Sequence, residues 1–187
     1  MLEVKKKSVR GVVSYAFRTL ALQAIGFVAT LLLGYYLSPA DFGMYFIVTA
    51  VIGVFTFLSD IGLAAALVQK KEEPTREDLQ TTFTVQQGLA FAIFGATILL
   101  TPFWKIYVNL NTEALWLLYA LGFSFVLASL KTIPSILLER KLEFTKLVFP
   151  QIVENVLFYS IAVVLAASGF GVRSYTIAVL ARSIGGV

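Results

Sequence analysis

The sequence predicts an all-α fold: a polytopic membrane helix bundle with about five full transmembrane helices, a truncated sixth, and a cytoplasmic N-terminus. Three observations carry that prediction. Of 187 residues, 58% are hydrophobic, against roughly 45–50% in a soluble domain, and mean hydropathy is +0.84. The apolar residues fall in long blocks, and about 20 such residues cross a hydrocarbon core of roughly 30 Å as a helix. Lys and Arg gather at one set of block ends, as the positive-inside bias of short loops demands.

The elements follow in order. Met1 to Arg10 is short and basic, with Lys5, Lys6, Lys7 and Arg10. The first helix is expected from about Val12 to Leu37. It is too long for a signal-peptide core and has no small-residue cleavage site after it, so it stays in the membrane. Ser38 to Phe42 forms a turn in which Pro39 breaks the chain and Asp41 suits capping. The second helix spans about Gly43 to Val68. The hydrophilic loop Lys70 to Gln80 follows, with Pro74 inside it. The third helix covers about Thr82 to Phe103, and Trp104 and Tyr107 lie where amphipathic rings favour the interface. The fourth runs from about Glu113 to Leu138, and Glu139 to Lys146 is a second charged loop. The fifth runs from about Leu147 to Ala167, with Pro150 tolerated in its first turn. After the turn Ser168-Gly169-Phe170-Gly171, a sixth apolar block begins near Val172. It is too short to cross comfortably and contains Arg182, so residues 1–187 read as one transmembrane domain, the N-terminal part of a longer protein.

Charge sets the orientation. Ten cations flank the blocks on one side: Lys5, Lys6, Lys7, Arg10, Lys70, Lys71, Arg76, Arg140, Lys141 and Lys146. Only Lys105 and Arg173 flank them on the other. The N-terminus and both charged loops are therefore expected in the cytoplasm. The chain has no Cys and no His, which removes disulfides, a thiol nucleophile and the commonest general base. No Gly-rich phosphate loop, catalytic carboxylate pair or metal-ligand spacing is present, so neither an enzyme nor a cofactor is expected. The isoelectric point of about 9.3 reflects loop charge, without the aromatic-basic modules of nucleic-acid binders. The acids of the first charged loop, Glu72, Glu73, Glu77 and Asp78, read as solvated loop and helix-start residues.

Five ionisable residues fall inside helices: Arg18, Asp60, Lys131, Glu154 and Arg182. A charge at mid-bilayer costs about 2.5–3.5 kcal/mol or more, so such groups pair, face an interior, or both. At 1.5 Å per residue, Arg18 lies about 9 Å and Asp60 about 12 Å from the cytoplasmic side. Lys131 and Glu154 both lie about 10 Å deep. Two pairs are expected, Arg18 with Asp60 and Lys131 with Glu154. They serve as structural ion pairs, as the lining of an inward-facing vestibule, or as both. Arg182 lies about 13–15 Å in, with no acid left over at that depth. Either its partner lies in a part of the protein beyond this segment, or it is a free cation in a cavity awaiting an anion. Helical stripes of small and polar residues mark an interior face: Thr19, Gln23, Gly26, Thr30 and Gly34 on the first helix; Thr49, Gly53, Thr56 and Asp60 on the second; Ser124, Ala128, Lys131 and Ser135 on the fourth; Gln151, Glu154 and Phe158 on the fifth. Such stripes also serve plain helix packing. With the charges added they suit a midplane site between bundles.

The segment Leu37 to Gln69 resembles the first hairpin of the polysaccharide biosynthesis proteins, the Wzx-type oligosaccharide flippases of the multidrug/oligosaccharidyl-lipid/polysaccharide exporter superfamily. The matching residues are Pro39, Asp41-Phe42-Gly43, Asp60-Ile61-Gly62-Leu63, Ala66-Leu67 and Gln69. A second match, Leu137-Leu138-Glu139-Arg140-Lys141-Leu142-Glu143-Phe144, follows the fourth helix. The resemblance implies two six-helix lobes around a central cavity in the inner membrane. It implies movement of undecaprenyl-pyrophosphate-linked oligosaccharide to the outer leaflet by alternating access. It implies cavity contacts to the anion from Arg182 first, then Arg18 and Lys131, with Gln23 on the same lining, and Asp60 and Glu154 as structural or coupling acids. Implied partners are the lipid-linked oligosaccharide, membrane lipid, and polysaccharide polymerase and assembly proteins. Other readings are a cation-coupled drug exporter of the same superfamily, for which Asp60 could serve, and a non-transporting scaffold of a polysaccharide assembly complex. A membrane glycosyltransferase or acyltransferase is disfavoured by the missing His and acidic cluster.

Overall fold

A computed structural model describes residues 2–59, 62–141 and 143–186, with side chains from Thr19 onward except at 58, 59, 144 and 145. Its helices, in chain order, are α1 (Leu2–Tyr36), α2 (Pro39–Ser59), α3 (Leu63–Gln69), α4 (Arg76–Leu99), α5 (Thr101–Ile106), α6 (Thr112–Leu130), α7 (Thr132–Arg140), α8 (Phe144–Ala167) and α9 (Arg173–Gly185). Five are long and apolar enough to cross a membrane: α1 through Thr19–Tyr36, α2 through Pro39–Phe57, α4, α6, and α8 through Lys146–Ala167. The chain is thus an all-α, multi-pass membrane protein.

Three of the expected helices are interrupted, each where local chemistry requires it. The second does not run unbroken to Val68. Gly62 takes φ +72°, a left-handed conformation that costs glycine little, and a new helix, α3, starts after it. The third bends at Leu100 because Pro102 has no N–H for the Ile98 carbonyl. That carbonyl accepts the Thr101 hydroxyl instead, and the same hydroxyl lies 2.6 Å from Tyr119 Oη. The fourth breaks between Leu130 and Thr132, where the Pro134 ring would clash with the Leu130 carbonyl four residues back. The Lys131 N–H drops to the tighter acceptor, Ala128 O, at 3.1 Å. Pro150 lies within the second turn of α8 rather than its first, because the helix starts at Phe144.

Helix starts follow their caps. Ser38, not Asp41, caps α2. The Ser38 hydroxyl accepts from the Asp41 N–H at 3.2 Å, and the Asp41 carboxylate accepts from the Ser38 backbone N–H at 3.3 Å. That reciprocal pair is a capping box with Pro39 at the first helical position. Thr75 and Asp78 repeat the device at α4. The third span therefore begins at Arg76, six residues before the expected start near Thr82. Asn111 caps α6 by accepting from the Ala114 N–H at 2.8 Å.

α1 packs along α8, α8 along α9, α9 along α6, and α6 against both α4 and α2, while α3 leans on α7. The core lies at the end away from the charged loops. Tyr175 of α9 is 2% exposed at its centre, stacked on Tyr45 with ring centroids 4.0 Å apart and flanked by Phe158 and Phe42. Leu33, Val48, Leu117 and Leu118 complete it. Trp104 also points into this core and not to the interface. It is buried, edge-on to Phe55, and donates Nε1–H to the Thr97 carbonyl at 3.1 Å. The break at Leu100 turns the indole inward. The exposed indole is Trp116. Outward-facing Phe27, Leu31, Phe57, Leu99 and Phe149 would be an aggregation hazard in water and are at home in hydrocarbon.

Candidate functional site

At the opposite end the helices diverge around a cavity of about 680 Å³. Its mouth is lined by Leu138, Glu139, Lys146 and Leu147, beside the second charged loop. Deeper lie Gln86 of α4, Lys131 at the α6–α7 break, Gln151, Glu154 and Asn155 of α8, and Arg182 of α9. The break at Pro134 helps shape this wall, because Thr132, Pro134 and Ser135 all line it.

The structure brings Lys131 and Glu154 together, with Nζ 2.7 Å from Oε1. Their equal calculated depth matches that meeting. The expectation that Arg182 has no acid to meet is corrected. Its Nε lies 3.9 Å from the other carboxylate oxygen of Glu154, so one acid serves two cations. Depth matching missed this because it compared Cα levels, and a side chain as long as arginine spans the difference. Arg182 also sits 5.9 Å from the centroid of the Phe158 ring, within the range of a cation–π contact. Glu154 presses on Gly186, where an added Cβ would lie 2.6 Å from the Glu154 Cδ.

The cluster is polar beyond its charges. Gln86 and Gln151 both line the cavity, and their side-chain carbonyl oxygens are buried in its wall without a hydrogen-bond partner among the described residues. Asn155 donates to the Gln151 backbone carbonyl at 2.8 Å, so its amide is held in place.

Other expected residues fall elsewhere. Gln23 is exposed on α1; its neighbour Leu22 lines the cavity. The expected Arg18–Asp60 pair lies outside the described residues. Of the small-residue stripes, Gly26 does make a close helix contact, with a Cβ there reaching 3.1 Å from Tyr159 Oη, whereas Gly34 and Gly53 have open space around them. Thr49 bonds its own helix at the Tyr45 carbonyl. The stripe on α6 is used differently: Ser124 hydrogen-bonds Ser183 of α9, and Ser129, outside that stripe, donates to Gln87 of α4 at 2.7 Å.

Arg140, expected as a loop charge, is a structural contact between α7 and α3. The Arg140 guanidinium donates to four backbone carbonyls at and beyond the end of α3: Leu67, Val68, Lys70 (2.7 Å) and Glu72 (2.8 Å). Leu67 and Val68 lie in the last turn of α3, whose carbonyls a helix end leaves without intrahelical donors. The only sequence signal was that Arg140 lies in one resembling segment and Leu67 in the other.

Comparison with known proteins agrees with this architecture. A family model described as polysaccharide biosynthesis protein matches residues 32–186. The chain is 30% identical over 100 residues to an uncharacterized membrane protein in the cps region of Klebsiella pneumoniae, covering 54% of this chain and 20% of that one. It is 25% identical over 146 residues to the lipopolysaccharide biosynthesis protein WzxC of Escherichia coli K12, covering 78% of this chain and 29% of that one. The chain thus spans under a third of the length of either relative. No solved structure matches it. Because the family match runs through every helix that lines the cavity except α1, in which it begins at Leu32, this chain belongs to the polysaccharide biosynthesis protein family.

Proposed function

We propose that the chain forms the first lobe of a flippase that moves undecaprenyl-pyrophosphate-linked oligosaccharide across the cytoplasmic membrane by alternating access. The observation that carries this reading is the placement of Lys131 and Arg182 at the inner end of a polar cavity whose mouth adjoins the Lys/Arg-rich loops. Two cations around one acid leave a net positive charge for an anion. The neutral polar lining from Gln86, Ser135, Gln151 and Asn155 suits a hydroxyl-rich ligand. By the charge of its loops, the cavity faces the cytoplasm, the side on which a lipid-linked precursor would load. The chain acts here as a carrier and not an enzyme. Its partners are the lipid-linked sugar, membrane lipid, and the polymerase and assembly proteins of the same polysaccharide.

The test is polysaccharide export in a strain lacking the chromosomal gene, restored by the full-length protein carrying Arg182→Ala. Glu154 keeps its 2.7 Å contact with Lys131, so no acid is stranded and the protein should reach the membrane at normal levels. Export should fall by tenfold or more. Full export by this variant would remove the anion-binding role from Arg182 and the main support from the reading.

A further inference from the structure

We propose that Glu154 is an internal stand-in for the ligand's anion: its carboxylate occupies the Lys131–Arg182 pair until an incoming anionic group displaces it. The inference rests on the proposed anion-binding cavity and adds an exchange step at its centre. No bond is made or broken in that step; one carboxylate leaves two cations and another anion takes them.

The geometry supports exchange over a fixed structural bridge. Glu154 is the shielded member, its side chain 13% exposed against 33% for Lys131 and 42% for Arg182. An anion entering from the mouth therefore meets the cations first. The acid's two contacts are unequal. Its bond to Lys131 is 2.7 Å, while Arg182 stands 3.9 Å off, an ion pair beyond hydrogen-bonding range. Guanidinium suits the bidentate geometry of phosphate and carboxylate oxygens. At 3.9 Å it makes no such bond to Glu154, and so it is the cation most easily recruited by a ligand. Gly186 provides the room the carboxylate occupies. A Cβ there would collide with it and push it away from α9, the helix that carries Arg182. Glycine at 186 thus positions the stand-in.

The experiment is calorimetric titration of the purified full-length protein in detergent, at low ionic strength, with inorganic pyrophosphate as the probe. Glu154→Gln should bind pyrophosphate about two- to fivefold tighter than the native protein, the scale of removing one competing charge from two partly exposed cations. Arg182→Ala should bind more weakly, and the double variant should lose the gain. Gly186→Ala keeps every charge and should also tighten binding; it carries the test if Glu154→Gln fails to fold. If pyrophosphate binds and depends on Arg182, yet neither Glu154→Gln nor Gly186→Ala tightens it, the stand-in role is overturned while the anion site survives. If Arg182→Ala leaves binding unchanged, or no variant binds pyrophosphate, the anion site itself fails and the exchange step with it.

Discussion

Arg140→Ala should be among the most damaging substitutions outside the cavity. One guanidinium donates to the carbonyls of Leu67, Val68, Lys70 and Glu72, so it holds the end of α3 and the first charged loop against the end of α7. A hydrogen bond from a charged donor contributes about 1.5–3 kcal/mol when shielded. Arg140 is half-buried, and water can take over part of what is lost. Four bonds from one group also share its desolvation, so their contributions do not add in full. An overall loss of about 2–3 kcal/mol follows. For a chain of 187 residues that corresponds to roughly 4–12 °C in the unfolding midpoint. The assay is thermal unfolding in detergent alongside limited proteolysis of the loop at residues 70–75, which should become the first cleavage site. Arg140→Lys is the control. A single ammonium cannot fork to carbonyls spread over residues 67–72, so it should recover less than half of the loss. A midpoint within about 1 °C of the native value for Arg140→Ala, with unchanged loop cleavage, would refute the latch and return Arg140 to a simple loop charge.

Two further outcomes test the helix arrangement. In bilayers containing acyl-brominated lipid, the emission left after Trp116→Phe should be blue-shifted and weakly quenched, because Trp104 is 6% exposed and Trp116 63%; strong quenching of Trp104 would put it back at the lipid interface. Arg173→Ala should shift the unfolding midpoint by less than about 3 °C. Its pairing with Glu113, 2.9 Å apart, is largely exposed, and such pairs contribute about 1 kcal/mol or less; a loss of more than about 8 °C would show that this contact holds α6 to α9.

Hydropathy and charge sufficed for the outline: five spanning helices, the turn at 168–171 with Gly169 at φ +82°, and the meeting of Lys131 with Glu154. These properties are written along the chain, since block length sets span and buried charges seek partners. The break at Lys131 was also written there, in Pro134, whose missing N–H and bulky ring stop a helix four residues upstream. The capping boxes at Ser38 and Thr75 were legible in the same way, as Ser or Thr followed three residues on by Asp. What only the tertiary structure decided were the partners of long side chains. Arg182 reaches Glu154, Arg140 reaches the carbonyls beyond α3, and the Trp104 indole turns toward Thr97. Each depends on how one helix is rotated and bent against another. A helix's own periodicity reports which face is apolar and at what level a residue sits, but not which neighbour a flexible side chain extends to meet.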